Sequence, residues 1–325
     1  MNNLKEIDIR EIDGFLIGNA ENEKTATGCT AILCPSGAFA GVDVRGGGPA
    51  TRETDLLNPV NMVQQIHCVM LSGGSAFGLA AGDGAMQYLS EKGYGFETGF
   101  GNVPIVCGAS LFDLATGDGG TYPDKAMGYE ACRAAFEKAP LMQGNFGAGT
   151  GATVGKYLGA ERMMKSGLGI YAVKLGNIKC GAVVAVNCLG DVTDTETGKK
   201  IAGIMTADRT ELASTCDIML EEIAAGRNVF TGNTTIGCIL TNVKLTKSEC
   251  CKLASVTHNA YARAISPVHT SADGDTIFVM TTAEIEAAPD SLGVLAVKVM
   301  EKAIVRAVMS AKSAYGIKAA ADLGK

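Results

Sequence analysis

Glycine recurs through this chain at a density that few folds accommodate: 42 of 325 residues, with no Trp and only 6% aromatic residues. An interior drawn mainly from Gly, Ala, Val, Ile and Met has short side chains. Sheets and helices must then approach closely, in places backbone against backbone. With 47% hydrophobic residues the chain can bury a full-sized core, and its length suits one large domain or two intimate ones. Strand-like and helix-like segments alternate, which predicts an α/β architecture of stacked sheets covered by helices.

Charge and cysteine usage narrow the function. The net charge is −6 and no basic stripe offers phosphates a partner, so nucleic acid is excluded. Cys29, Cys34, Cys68, Cys180, Cys188 and Cys238 sit inside apolar, strand-like runs. They read as small buried hydrophobes in a reducing compartment. Cys250 and Cys251 are adjacent on a predicted helix, no C-x-x-C occurs, and the three histidines are scattered at 67, 258 and 269. No metal and no cofactor are expected. The charged N-terminus lacks the apolar core of a signal peptide, and no apolar run approaches a membrane span. These features predict a cytoplasmic protein without a membrane partner.

Along the chain, residues 28–45 read as a hairpin about Pro35-Ser36-Gly37. Residues 66–71 form a short buried strand, and Ser72-Gly73-Gly74-Ser75 leads into a helix over 76–91. A strand ending in glycines before a helix aims N–H groups at one point. Residues 95–120 look irregular, and a helix follows over 125–137. Strands over 169–175 and 179–188 flank Gly176-Asn177, a hairpin signal. Residues 191–200 are polar, and an acidic-faced helix spans 209–224. Gly226-Arg227-Asn228 and Val229 to Asn233 then lead to a strand opening at Thr234. Thr246 and Glu249 form a capping box for a helix with Cys250, Leu253, Ala254, Thr257, Tyr261 and Ala264 on one face. A turn holding Pro267 and Asp273-Gly274-Asp275 precedes a strand over 276–282 and a last helix over 290–313.

Two glycine-rich matches fail on context. Gly147 to Ala152 fits G-x-G-x-x-A, yet Pro140 to Asn145 before it makes a poor buried strand. Gly151 to Lys156 departs from a Walker loop: Thr150 replaces the first Gly, and Tyr157 stands where Ser or Thr is needed. Tight packing explains these glycines without a nucleotide.

The informative segment is Gly232-Asn233-Thr234-Thr235-Ile236-Gly237. Further ordered motifs accompany it: Gly41 to Pro49 with Thr51-Arg52-Glu53, Leu71 to Leu79, Gly147 to Lys156, and Val186-Asn187 with Gly190-Asp191. Pro267-Val268-His269-Thr270 with Asp273 to Thr276 completes the set. Together they resemble the self-cleaving L-aminopeptidase/D-esterase, β-peptidyl aminopeptidase and nylon-oligomer hydrolase family over nearly the whole chain. The resemblance implies a four-layer α/β/β/α sandwich, similar to N-terminal-nucleophile hydrolases but with its own connectivity. It implies one peptidase domain over 1–325, cut between Asn233 and Thr234 into an α-chain (1–233) and a β-chain (234–325). Small peptides or aminoacyl amides and esters are the implied substrates, and a homo-oligomer of processed units is expected.

The chemistry agrees. A Thr hydroxyl is a weak nucleophile without a neighbouring base. The α-amino group freed on Thr234 has a reference pKa of about 7.7–8.0, near the optimum for a general base at neutral pH. By position, the resemblance implies that Asp273 and Asp275 hydrogen-bond the nucleophile, provided Gly274 bends the chain. Asn187 corresponds to an oxyanion or substrate-positioning amide, and Lys156 to a basic residue near the nucleophile. A solvated loop lysine is the alternative for Lys156. Tyr122 is a pocket hydroxyl or a plain surface aromatic. Ser72, Gly73 and Gly74 are expected to meet substrate through backbone amides, and His269 reads as a structural turn histidine. Two other functions are alternatives: an acyltransferase like the ornithine acetyltransferases, which share self-cleavage before Thr but which the glycine and Asp-Gly-Asp motifs fit less well, and an uncleaved relative that only binds a peptide or metabolite.

Overall fold

The computed structural model describes residues 4–224 and 232–323; Gly226-Arg227-Asn228 and residues 229–231 lie outside them. Ten strands make the main sheet: β1 (Leu4–Glu6), β2 (Leu16–Asn22), β3 (Thr27–Val44), β4 (Thr51–Arg52), β5 (Gln65–Ser72), β6 (Val106–Ser110), β7 (Leu168–Leu175), β8 (Ile178–Asn187), β9 (Thr234–Val243) and β10 (Thr276–Ile285). The helices are α1 (Ala81–Glu91), α2 (Lys125–Phe136), α3 (Thr215–Ala224), α4 (Lys247–Ala264) and α5 (Pro289–Met309). Strand order is β1-β7-β8-β9-β10-β3-β5-β6-β4, with β2 also on β3. The β9–β10 and β5–β6 pairs are parallel.

Three apolar clusters define four layers. Side chains alternate along each strand, so one strand feeds two cores. Ala31, Leu33, Cys68 and Met70 face α1 and α2, packing on Ala85, Leu89, Ala131 and Cys132. Their neighbours Ile32, Val69 and Leu71 point the other way. There they meet Val183, Ala185, Ile236, Cys238, Phe278 and Met280 from the second half of the sheet. Val184, Val186, Ile277 and Val279 turn outward again, onto Leu253, Tyr261, Ala296 and Met300 of α4 and α5. The result is the expected α/β/β/α sandwich. Its two inner layers are one hydrogen-bonded sheet, continuous through β3.

That continuity corrects the hairpin expected at Pro35-Ser36-Gly37. Residues 29–33 pair with β5 and residues 39–44 with β10, and the register shifts between Leu33 and Ala38. Gly37 takes φ +86°. The Pro-Gly signal marks a bulge inside one 18-residue strand, a place where a sheet tolerates Pro. The hairpin lies one segment earlier, where β2 pairs with residues 27–33.

Other expectations shift modestly. Residues 95–120 hold buried β6 and a small hairpin, Phe96–Glu97 with Asn102–Val103. The polar stretch after Asp191 pairs Asp191–Asp194 with Lys199–Ala202, and the third helix starts only at Thr215. The helix start at 76–80 is 3-10 in form. The capping box holds: Thr246 Oγ1 accepts from Glu249 N, and Glu249 Oε2 accepts from Thr246 N. All six predicted inward residues of α4 are buried. The six cysteines named as buried hydrophobes are buried free thiols. Among the described residues no helix is long and apolar enough to cross a membrane.

Glycine permits the close layers. At Gly169 in β7, an added Cβ would lie 1.9 Å from Ala303 O and 2.7 Å from Ala307 N, both backbone atoms of α5. Neither can yield without lifting the helix. Gly169→Ala is expected to destabilise the fold by about 1–3 kcal/mol, the usual range for overpacking. Urea denaturation of the parent chain, compared with its Gly169→Ala variant, measures this; equal midpoints would contradict the packing argument.

Candidate active site

Thr234 is the first residue of β9 and stands opposite Asn187, the last residue of β8. On the other side, Asn233 bridges Asp273 just before β10 begins. The candidate residues therefore gather at one end of the sheet, where β8 stops and β9 and β10 start. Thr234 is only 3% exposed. Its hydroxyl donates to the carbonyl of Asn233. That carbonyl also accepts the N–H of Gly274 at 3.1 Å, and Asn233 N donates to Ala272 O at 3.2 Å. The linkage between Asn233 and Thr234 is thus held by the backbone of 272–274.

Gly274 bends the chain as the sequence requires. A Cβ there would meet Thr234 Oγ1 at 2.7 Å, so a larger residue would displace the hydroxyl. The glycine loop at 46–48 closes over the bend. Gly48 N donates to Asp273 O at 2.8 Å, and Arg45 N to Asp275 O at 2.9 Å. Asp275 Oδ1 accepts Thr235 N at 2.7 Å, while Oδ2 faces His269 Nδ1 at 2.9 Å. Asp273 Oδ2 accepts Thr270 N at 2.7 Å. Burial, and then the negative charge of Asp275, push the Asp273 carboxyl up to about 6.

Asn187 is fully buried and paired at both ends of its amide. Oδ1 accepts Thr153 N at 3.0 Å and Nδ2 donates to Phe112 O at 2.8 Å. The polar interruption of an apolar strand thereby finds its partners. Lys156 is buried, which excludes a solvated loop lysine, and its Nζ has no hydrogen-bond partner among the described residues. Burial drops its ammonium to about 7, against the opposing pull of Asp273, Asp113 and Asp275. A cavity of about 300 Å³ opens beside it, lined by Phe112, Thr116, Thr153, Lys156, Met163 and Gly232. A wider groove by Glu6, Tyr171 and Arg306 holds none of the candidate residues. The glycine segment leading to Lys156 is fixed by a second buried lysine: Lys165 Nζ donates to Gly149, Ala152 and Ser166 carbonyls at 3.1, 3.0 and 2.6 Å. After Gly147 to Ala152 the chain enters a short strand, Thr153–Val154, where a dinucleotide turn would open a helix.

The turn at 72–75 is placed differently from expectation. Its N–H groups are already engaged: Gly73 with Gly28 O, Gly74 with Asp113 Oδ1 and Ser75 with Leu111 O. Ser72 Oγ donates inward to Gly78 O at 2.9 Å. These amides do not point into the cavity beside Lys156. Tyr122 stacks on Phe77 at 4.6 Å, 36% exposed, and is absent from the cavity wall. The residue that sequence reading missed is Asp113. It is buried, joins Thr27 Oγ1 at 2.8 Å and Gly74 N at 2.6 Å, and faces Lys156 electrostatically. Its signal was faint: one acid after an apolar segment in a stretch taken as irregular. His269, expected as a turn residue, directs its ring at Asp275. Among the described residues no group of three His, Cys, Asp or Glu could hold a metal ion.

The family description Peptidase family S58 matches residues 8–321. The chain belongs to that family. It is a hydrolase of peptide or amide bonds. The S58 chain is 37% identical to an uncharacterized aminopeptidase of Mycobacterium leprae, over 90% of this chain and 85% of that one. It is 34% identical to the 6-aminohexanoate-oligomer endohydrolase of Agromyces sp., over 85% and 75% respectively. Its fold is shared with the L-aminopeptidase D-Ala-esterase/amidase of Ochrobactrum anthropi (TM-score 0.67, 18% identity, 93% of this chain and 85% of that). It is shared equally with a Burkholderia sp. beta-aminopeptidase (TM-score 0.66, 19% identity, 96% and 91%).

Lys156 makes the stability of this S58 chain depend on pH. Unfolded, the amine keeps its proton to about 10.5; folded, it loses it near 7. Between those values the unfolded chain binds more protons, so stability rises with pH. Against Lys156→Met, the parent should gain up to ~1.4 kcal/mol per pH unit from pH 7 toward 10. Urea titrations of both at pH 7 and pH 9 check this; a pH-independent difference would contradict the buried amine.

Proposed function

We propose that this chain cuts itself between Asn233 and Thr234, and then hydrolyses small peptides or aminoacyl amides and esters through an acyl-enzyme on Thr234. One observation carries the reading: the Thr234 hydroxyl lies on the Asn233 carbonyl while Gly274 N–H donates to the same oxygen. Nucleophile, electrophile and oxyanion donor are in place together. The hydroxyl oxygen adds to the Asn233 carbonyl carbon, its proton passes to the departing nitrogen, and the C–N bond breaks to leave an ester. Water then cleaves the ester, releasing the Asn233 carboxylate and restoring the hydroxyl. The freed α-amine of Thr234 thereafter serves as base for its own hydroxyl, with a pKa of about 7.7–8.0 suited to neutral pH.

The remaining roles follow from position. Asp275 holds Thr235 N–H and so sets the direction of the nucleophile's strand. Asp273 and Lys156 place opposite charges around the hydroxyl and amine. Asn187, opposite Thr234, keeps Thr153 and Phe112 at the cavity wall. The relatives named as an aminopeptidase and as a 6-aminohexanoate-oligomer endohydrolase support amide substrates of modest size. Eleven free cysteines, nine of them buried, suit a reducing cytoplasm.

Purified protein is expected as two associated fragments, the smaller beginning Thr-Thr-Ile-Gly by N-terminal sequencing. Thr234→Ala should abolish cutting and lower amide hydrolysis by at least about 10³-fold, while Thr234→Ser keeps part of both. Asp275→Asn, assayed on processed protein, should lower kcat at least about tenfold. A different new N-terminus, or a Thr234→Ala chain with near-normal hydrolysis, would end this reading; transfer of the acyl group to an amine in preference to water would redirect it to an acyltransferase.

A further inference from the structure

We propose that His269 is a positioning residue of this site, acting through Asp275 to hold the strand that carries Thr234. The inference rests on Thr234 being the nucleophile. Asp275 is wholly buried, so each of its oxygens needs a donor from the protein. His269 supplies two donors to one oxygen: Nδ1 at 2.9 Å and its own backbone N at 3.1 Å, both on Oδ2. That leaves Oδ1 to accept Thr235 N at 2.7 Å. The carboxylate is therefore gripped on one side by His269 and grips β9 with the other, one residue from the nucleophile.

The ring is held for this purpose. Facing a carboxylate oxygen, Nδ1 is the protonated nitrogen. Nε2 is buried without a partner among the described residues, so the ring's one hydrogen bond is the one to Asp275. His258 packs edge-on at 4.8 Å, and Tyr261 lies 6.1 Å away. His258 is itself fixed by Nε2 at 3.0 Å from Asp43 O. The backbone supplies a second indication. His269 has φ +58°, a conformation that Gly or Asn adopts with less strain. A turn alone gives no reason for an imidazole here.

Two substitutions separate side-chain positioning from a turn requirement. His269→Asn keeps a donor where Nδ1–H stood and suits the positive φ. His269→Gly suits that φ better still but has no donor. Self-cleavage rate is measured for each precursor, and kcat and KM for each processed protein, with Thr234→Ala alongside. The Gly variant is expected to lose at least about tenfold in cleavage rate and in kcat, with KM within about twofold. The Asn variant should stay within about threefold of the parent, and where a variant stays uncut the same order is read from the cleavage rate alone. Gly performing as well as Asn, both losing equally, or both matching the parent would overturn the role of His269. Continued cutting by Thr234→Ala would instead remove the nucleophile itself, whatever the His269 variants do.

Discussion

The buried Asp275 carboxylate reaches Thr235 N–H, 40 residues earlier in sequence, with one oxygen and binds His269 with the other. Beside it, the backbone of 272–274 clamps Asn233 from both its N–H and its carbonyl. These bonds tie the start of β9 to the turn before β10, and the geometry at Thr234 follows from that tie. The bend admits no side chain at Gly274 without moving the hydroxyl. The glycine loop at 46–48 then closes on the same turn from outside the sheet. A site assembled mainly from backbone donors leaves few rotamers to freeze, so it can be rigid before any substrate arrives.

Around this frame lies an electrostatic balance at low dielectric. Asp113, Asp273 and Asp275 act on the buried amine of Lys156, and Asp113 also on that of Lys165. Burial moves the acid Asp273 upward and the amine Lys156 downward, to about 6 and about 7. Both shifts lie in the direction that favours the neutral form of the group. Desolvation is the dominant cause for both, so the closed packing around them sets these shifts.

The long strand β3 explains how one sheet serves as two layers. Its first half pairs with β2 and β5 and its second half with β10, across a bulge at 34–37. The outer helices press on both faces through short side chains and glycine. The Arg45–Gly48 loop continues directly from the end of β3. The strand that organises the sandwich therefore also delivers the loop that closes on the turn at 272–275.

Much of this was legible in the chain. Continuous apolar runs bounded by Gly and Pro located the long central strands, because each feeds two cores and is buried on both faces. The capping box at Thr246 and Glu249 set the start of α4 from local hydrogen bonds alone. The order of motifs about Thr234 marked the family and the candidate nucleophile. What local sequence could not decide was anything requiring two distant segments to meet. Pro35-Ser36-Gly37 makes a turn or a bulge according to which strands lie on either side. Asp113 becomes part of the site only because β6 lies parallel to β5 and sets it between Gly74 and Lys156. His269 turns from a loop residue into a partner of Asp275 through packing on His258 and Tyr261. Hydrophobic period and capping are encoded within a few residues. The partners of a buried charge are fixed only when the tertiary fold removes water and leaves specific protein atoms in its place.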